Sequence, residues 1–186
     1  TANTGTIADA DGLGAFSYQW QRDGVNIGGA TGSTYTLGDT DVGTSIRVVV
    51  SYNDGQGTAE SLTSAAVGPV ANVNDATTGS VTIDDSTPTQ GQTLTASNTL
   101  ADADGLGPIS YQWQRNGVNI AGATASTYTL RDADVGTAIR VVASYTDGHG
   151  TAEEPLTSAP TALVTNVNTP PIGLPTISGA ATSMTQ

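Results

Sequence analysis

The sequence predicts an all-β chain of tandem antiparallel β-sandwiches, and three observations predict it. Short runs of Val, Ile, Thr and Tyr alternate with polar residues, the period of half-buried strands. Clusters of Gly, Asn, Asp and Ser, drawn on a total of 23 Gly and 8 Pro, separate those runs about every eight to twelve residues. The whole pattern also occurs twice. Ala8-Asp9-Ala10-Asp11-Gly12-Leu13-Gly14 returns as Ala101-Asp102-Ala103-Asp104-Gly105-Leu106-Gly107, 93 positions later. The same shift relates Tyr18-Gln19-Trp20-Gln21-Arg22 to Tyr111-Gln112-Trp113-Gln114-Arg115, and Asp54-Gly55 to Asp147-Gly148. One inserted residue at Glu153-Glu154-Pro155 moves the remainder to a shift of 94. A period this long marks whole domains, each large enough to close its own core. No stretch shows helical periodicity.

The second repeat is complete and reads strand by strand. Ser80-Val81-Thr82-Ile83 alternates and gives a first strand. Gln92-Thr93-Leu94-Thr95-Ala96 follows the Thr87-Pro88-Thr89-Gln90-Gly91 turn and gives a second. A third, Ile109 to Gln114, sets Ile109, Tyr111 and Trp113 on one face. Asn116-Gly117 demands positive φ at both turn positions and predicts a type I′ hairpin, with Val118-Asn119-Ile120 returning. Ser126 to Leu130 points Tyr128 and Leu130 inward. After the turn Asp132-Ala133-Asp134-Val135-Gly136, the run Ala138 to Tyr145 carries Ile139, Val141, Ala143 and Tyr145 on one face. A last strand falls between Thr151 and Val164. About seven or eight short strands around a central Trp describe a sandwich. That place in the alternation assigns Trp20 and Trp113 to core packing rather than to a sugar-stacking platform.

These residues resemble a family. Tyr111-x-Trp113 on a third strand, then Tyr128-Thr129-Leu130, then Asp134-x-Gly136 ahead of a strand ending at Tyr145, is similar to an immunoglobulin-like domain without its disulfide. The longer string Tyr-Gln-Trp-Gln-Arg-Asx-Gly-Val-Asn-Ile resembles the tandem Ig-like repeats of giant secreted bacterial proteins, RTX-type adhesins above all. The likeness covers nearly the whole chain, twice over, although the glycine-rich RTX nonapeptide itself is absent. It implies tandem Ig-like antiparallel β-sandwiches with seven to eight strands each, an extracellular or cell-surface location, and a role in adhesion or biofilm. Residues 1–71 are then a repeat lacking its first strand, and 72–165 a complete repeat with its N-terminal linker. Residues 166–186 are a linker and the first strand of a third repeat.

Composition narrows the partners. Seventeen acidic residues face five basic ones, all Arg, for a net charge of −12. Nucleic acid needs clustered Lys and Arg to neutralise phosphate, so it is excluded as a partner, and an anionic membrane surface equally. No run approaches the apolar length of a membrane span. Divalent cations are the natural counter-charge, set against the plainer reading that acidity keeps the protein soluble. There is no Cys, so core packing, metal or both must hold the small domains. With a single His, His149, and no Cys, transition-metal sites and Ser/His/Asp or Cys/His catalysis lack their parts. The sequence predicts no enzyme.

Asp-x-Asp-Gly occurs at Asp9/Asp11 and at Asp102/Asp104. Two carboxylates before a Gly that turns sharply can wrap Ca²⁺, which takes six to eight oxygens; the alternative is Asp side chains folding back onto their own turn amides. In an Ig-like sandwich this loop, the loop before the last strand and the point of entry share one pole. Asp102, Asp104, Asp147 and the linker Asn72-Val73-Asn74-Asp75 would meet there, and a cation would relieve their repulsion. The first repeat offers Asp9, Asp11 and Asp54 in the same places. The likeness to calcium-bound junctions of cadherin-like repeats implies Ca²⁺ bridging neighbouring repeats of one chain. Asp39 and Asp41 face that junction from the other side, with Asp41 and Asp134 expected to brace their turns, and Arg22 and Arg115 to pair with surface carboxylates. Glu60 and Glu153 either complete the site or sit on an exposed strand.

The expected function is that of a structural extender, a stalk stiffened by Ca²⁺ at its junctions. A glycan- or protein-binding module is the alternative, opposed by the near-identity of the loops in both repeats. A third reading is head-to-tail strand exchange, in which Leu174–Ile177 of one copy completes the strand-deficient first repeat of another. The plainer account of that geometry is a boundary cut inside a domain.

Overall fold

The structure is a computed structural model that describes residues 1–176 and Ser178; Ile177 and residues 179–186, where the end of the third-repeat strand was expected, lie outside the described residues. Two compact units emerge. One joins Thr1–Thr78 with Leu100–Pro108 and Tyr145–Glu154; the other joins Gly79–Thr99 with Ile109–Ser144 and the described chain from Pro155 onward.

In the first unit, β1 (Ser17–Arg22), β2 (Val25–Asn26), β3 (Ile46–Asn53) and β4 (Ala59–Thr63) form one antiparallel sheet in the order β2-β1-β3-β4. The second unit holds β5 (Val81–Ile83), β6 (Thr93–Asn98), β7 (Ser110–Arg115), β8 (Val118–Asn119), β9 (Thr127–Thr129), β10 (Ile139–Ser144) and β11 (Leu156–Thr157). These make two sheets, β11-β10-β7-β8 and β5-β6-β9. Seven strands among the described residues match the expected sandwich, and every named pairing is antiparallel.

Local chemistry explains the elements. Asn116 (φ 46°) and Gly117 (φ 84°) close the β7–β8 hairpin in the left-handed conformation of a type I′ turn, as Asp23 (φ 45°) and Gly24 (φ 84°) do for β1–β2. Alternation along β10 buries Ile139, Val141 and Ala143, and Tyr145 continues the row. β11 is shorter than its counterpart β4. The inserted residue and Pro155, which has no N–H to give a ladder, break the pairing that runs unbroken from Val49↔Thr63 to Asn53↔Ala59 in the first repeat.

The second core is closed on all sides. Trp113 is 0% exposed, its ring stacked 5.8 Å from Tyr128, and its Nε1–H donates to Ala125 O at 2.9 Å. Trp20 and Trp113 are both buried in the core, as expected. The first core uses the same pieces, with Trp20 stacked 5.8 Å from Tyr35, but it has no counterpart of β5 and β9 among the described residues. Leu37, which matches the buried Leu130, is 50% exposed. Beside these residues opens a cavity of about 820 Å³, lined by Ala2, Ile7, Trp20, Tyr35, Leu37 and Val48 among others.

A buried carboxylate secures each repeat. Asp41 and Asp134 lie on 3-10 turns, Asp39–Asp41 and Asp132–Asp134, and are 0% exposed. Asp134 accepts hydrogen bonds from Arg115 Nε (2.7 Å), Tyr128 Oη (2.9 Å) and the Arg131 N–H (2.7 Å). Asp41 does the same with Arg22, Tyr35 and Gly38. The surface pairing expected for Arg22 and Arg115 is thus corrected: their partners are interior, because each Arg reaches inward past the end of its strand. Burial pushes the Asp41 carboxyl up, but the Gly38 N–H, Arg22 and Tyr35 outweigh it and hold the group below the ordinary carboxylate range. A lowered folded-state pKa contributes stability that is present above the unfolded value and lost as pH falls through the folded one. Acid melting of the Asp41→Asn variant should therefore be flatter than that of the parent below about pH 4; superimposable pH profiles would refute this role.

Candidate metal centre

All nine candidate metal ligands lie in the first unit, and among the described residues two of them, Asp75 and Asp104, form a close group of carboxylates with Asp39. Asp39, Asp75 and Asp104 each present a carboxylate oxygen, and these atoms lie within 4.8 Å of one another. Asp39 and Asp75 are exposed, whereas Asp104 is buried.

The loop geometry follows from two close approaches. The Gly148 N–H donates to Asp104 O at 3.1 Å, and a Cβ at Gly148 would stand 2.5 Å from that oxygen. A Cβ at Gly107 would stand 2.0 Å from Thr146 O. Only glycine allows the two loops to touch, and this is the reason for the second Gly of Asp-Gly-Leu-Gly. Gly107→Ala should destabilise the protein by about 1–3 kcal/mol, the usual range for overpacking, read as a lower midpoint in urea unfolding; an unchanged midpoint would contradict the close approach.

Around these touching loops, hydrogen bonds fix most of the carboxylates. Asp104 N–H donates to Asp102 Oδ1 at 2.9 Å, and Tyr145 Oη donates to Asp102 Oδ2 at 2.5 Å. Asp75 N–H donates to Asp104 Oδ2 at 2.7 Å. Asp147 Oδ1 accepts from the His149 and Thr151 N–H groups at 2.9 and 2.7 Å, closing its own turn. Thr77 Oγ1 donates to Glu153 Oε2 at 3.0 Å. Asn74 Nδ2 reaches only its neighbour, Asp75 O, at 3.3 Å.

Four buried oxygens in this unit have no hydrogen-bond partner: Asn72 Oδ1, Asp104 Oδ1, Asp147 Oδ2 and Glu153 Oε1. His149 Nε2 stands 3.9 Å from Asp104 Oδ1, beyond hydrogen-bond reach. Leaving a buried charged acceptor unsatisfied is costly. Desolvation, then the charges of Asp39, Asp104 and Asp102, raise the Asp75 carboxyl above its ordinary value, the sign expected where carboxylates crowd one another. Hard oxygen donors of this kind suit Ca²⁺ rather than a softer metal.

The first-repeat loop has the same sequence motif and a different environment. Tyr52 Oη donates to Asp9 Oδ2 at 2.8 Å, while Asp11 is exposed and takes a hydrogen bond from Gln56 Nε2 at 2.9 Å. Asp54 is satisfied by Gln56 and Thr58 N–H groups. None of Asp9, Asp11 and Asp54 falls in a three-carboxylate group among the described residues. Asp39 stands in the cluster instead, a residue whose Asp-x-Asp spacing with Asp41 was visible but whose outward direction only the 3-10 turn fixes. The inserted residue has its own effect: Glu60 is exposed on β4, whereas Glu153 is half-buried beside Thr77.

Strand order and antiparallel pairing define an all-β protein of immunoglobulin-like β-sandwiches without a disulfide. No protein-family model matches the chain, and no curated protein does. Among solved structures it is similar to the fibronectin(III)-like modules of Clostridium thermocellum CbhA, with 12% identity, 87% of this chain and 83% of that one covered, and a TM-score of 0.35. No helix among the described residues is long and apolar enough to cross a membrane.

Proposed function

We propose that the chain is a non-catalytic extender module of a secreted or surface-attached bacterial adhesin, whose tandem repeats are stiffened by Ca²⁺. The observation that carries this reading is the buried Asp104 carboxylate, whose Oδ1 has no hydrogen-bond partner and which presents an oxygen within 4.8 Å of carboxylate oxygens from Asp39 and Asp75. The three residues come from the first repeat, the linker and the second repeat, so one cation held by them would tie three chain segments together. Elsewhere in the same unit Asn72, Asp147 and Glu153 also bury an oxygen without a hydrogen-bond partner. Bound Ca²⁺ would supply positive charge to this oxygen-rich set, and the chain's own contribution is to hold the oxygens in place through the Gly107 and Gly148 contacts. The acidic, Lys-free composition favours cations over anionic partners.

Thermal unfolding in millimolar Ca²⁺ and in chelator tests the reading. A ligand that binds only the native state stabilises it by about 2.7 kcal/mol at a hundredfold excess over Kd, and a midpoint several degrees higher in Ca²⁺ is the expected result. Asp104→Asn should remove most of that gain while leaving the midpoint in chelator little changed. Equal midpoints of the parent protein in Ca²⁺ and chelator would refute the site. Scattering profiles that loosen when the ion is stripped would support the stiffening role, and identical profiles would oppose it.

A further inference from the structure

Of the three segments that supply the carboxylate group, the linker alone lies in no strand or 3-10 turn that would fix it. Asp75 is held through its backbone, where its N–H donates to Asp104 Oδ2 at 2.7 Å. One bond leaves a chain free to pivot. What grips the residues just after Asp75 therefore decides where its carboxylate can reach. Thr78 and Ala101 exchange both backbone bonds, at 2.8 and 3.0 Å. The half-buried Thr77 turns its hydroxyl inward, with Oγ1 2.6 Å from Tyr145 Oη and 3.0 Å from Glu153 Oε2.

Tyr145 is buried, and its hydroxyl faces two ways. It stands beside Thr77 Oγ1 and donates to Asp102 Oδ2 at 2.5 Å, while Asp102 Oδ1 accepts the Asp104 N–H at 2.9 Å. The contacts close a circuit. It runs from Thr77 through Tyr145 and Asp102 to Asp104, then back to the linker through the Asp75 N–H. A closed circuit fixes its members more tightly than separate bonds do, because no one link can swing without breaking another. The first-repeat loop shows what the tyrosine does without a linker contact. Tyr52 Oη donates to Asp9 Oδ2 at 2.8 Å, and the Asp11 N–H to Asp9 Oδ1 at 2.9 Å. The Tyr–Asp bond thus supports the loop in both repeats, and the Thr77 contact is what ties a linker to it.

We propose that Thr77 and Tyr145 are positioning residues for the cation site: their paired hydroxyls latch the linker to the Asp102 loop and so carry the Asp75 carboxylate to Asp39 and Asp104. Neither hydroxyl is a ligand. Their role rests on the cation reading given above, whereas the latch itself needs no metal. Partners that orient metal ligands from behind set metal affinity by about 10–100-fold, and this circuit orients two of the three clustered carboxylates, Asp75 and Asp104.

Calorimetric titration with Ca²⁺ and amide hydrogen exchange in chelator, both on the 186-residue chain, test the latch. Thr77→Val keeps the branched shape without the hydroxyl, and Tyr145→Phe keeps the ring. Each should weaken Ca²⁺ binding by about 10–100-fold, and Thr77→Ser, which restores the hydroxyl, should bind as the parent does. Tyr52→Phe loses the matching bond on the first-repeat loop and should leave the affinity unchanged. In chelator, the Asp75 amide should exchange about tenfold faster in Thr77→Val and Tyr145→Phe than in the parent, the scale of one lost hydrogen bond to a charged group. No Ca²⁺ binding by the parent would overturn the cation reading and the positioning role with it. Parent-like affinity in both variants, or an Asp75 amide whose exchange they leave unchanged, would overturn the latch alone.

Discussion

Trp113→Ala should destabilise the protein by about 3–5 kcal/mol, the cost of deleting a fully buried aromatic side chain and leaving a cavity. Trp20→Ala, the same change at the matching position, should cost distinctly less. Trp113 is sealed beneath β5 and β6, while Trp20 lies beside a cavity that water can already enter. The transfer contribution is similar at both sites, but the new void adds its full penalty only where the surroundings were closed. Urea unfolding of the two variants, followed by the fluorescence of whichever Trp remains, gives both numbers. Equal losses would mean that the first core is as tightly closed as the second.

Asp134→Ala should cost about 3 kcal/mol, near the low end for breaking a buried ion pair. The low end applies because the Arg115 side chain is 31% exposed and can turn to water once its partner is gone. The buried Tyr128 hydroxyl and the Arg131 N–H have no such exit and lose their acceptor. Asp134→Asn should retain part of the stability, since an amide oxygen can still accept from one of them. If Asp134→Ala and Asp134→Asn lose the same amount, the charge rather than the hydrogen-bond geometry is what the turn requires. Denaturant midpoints decide between the two.

Much of the fold was legible because it rests on local rules. Period-two alternation located β7 and β10, the Asn116-Gly117 pair fixed the hairpin, and the repeat supplied each boundary a second time. Where the reading fell short, distant contacts decide. β8 is only Val118–Asn119 and β11 only Leu156–Thr157, lengths set by the neighbouring strand rather than by propensity. Arg22 and Arg115 looked like surface residues because nothing local shows that a 3-10 turn carries Asp41 and Asp134 inside. The candidate site was legible as a set of acidic turns and not as a geometry. Asp9/Asp11 and Asp102/Asp104 share one motif, yet Gln56 satisfies Asp11 where His149 stands off from Asp104. Which oxygens end up buried without a partner depends on the linker Asn72–Asp75 and on the one-residue insertion beside Glu153.

The register of the central ladders has a consequence for how such a chain reaches its native state. β1 pairs with β3 from Ser17↔Ser51 to Arg22↔Ile46, and β7 with β10 from Ser110↔Ser144 to Arg115↔Ile139. The two leading strands are identical, Ser-Tyr-Gln-Trp-Gln-Arg, and their partners differ only at Val50 and Ala143 over the six paired positions. Only Tyr18, opposite Val50 in β3, would meet a different side chain on β10. The correct choice therefore rests mainly on loop closure: the shorter intervening segment closes at the lower entropic cost, and that advantage grows only logarithmically with length. Refolding of a near-identical array is thus a competition that kinetics must win, with swapped ladders between repeats as its natural error.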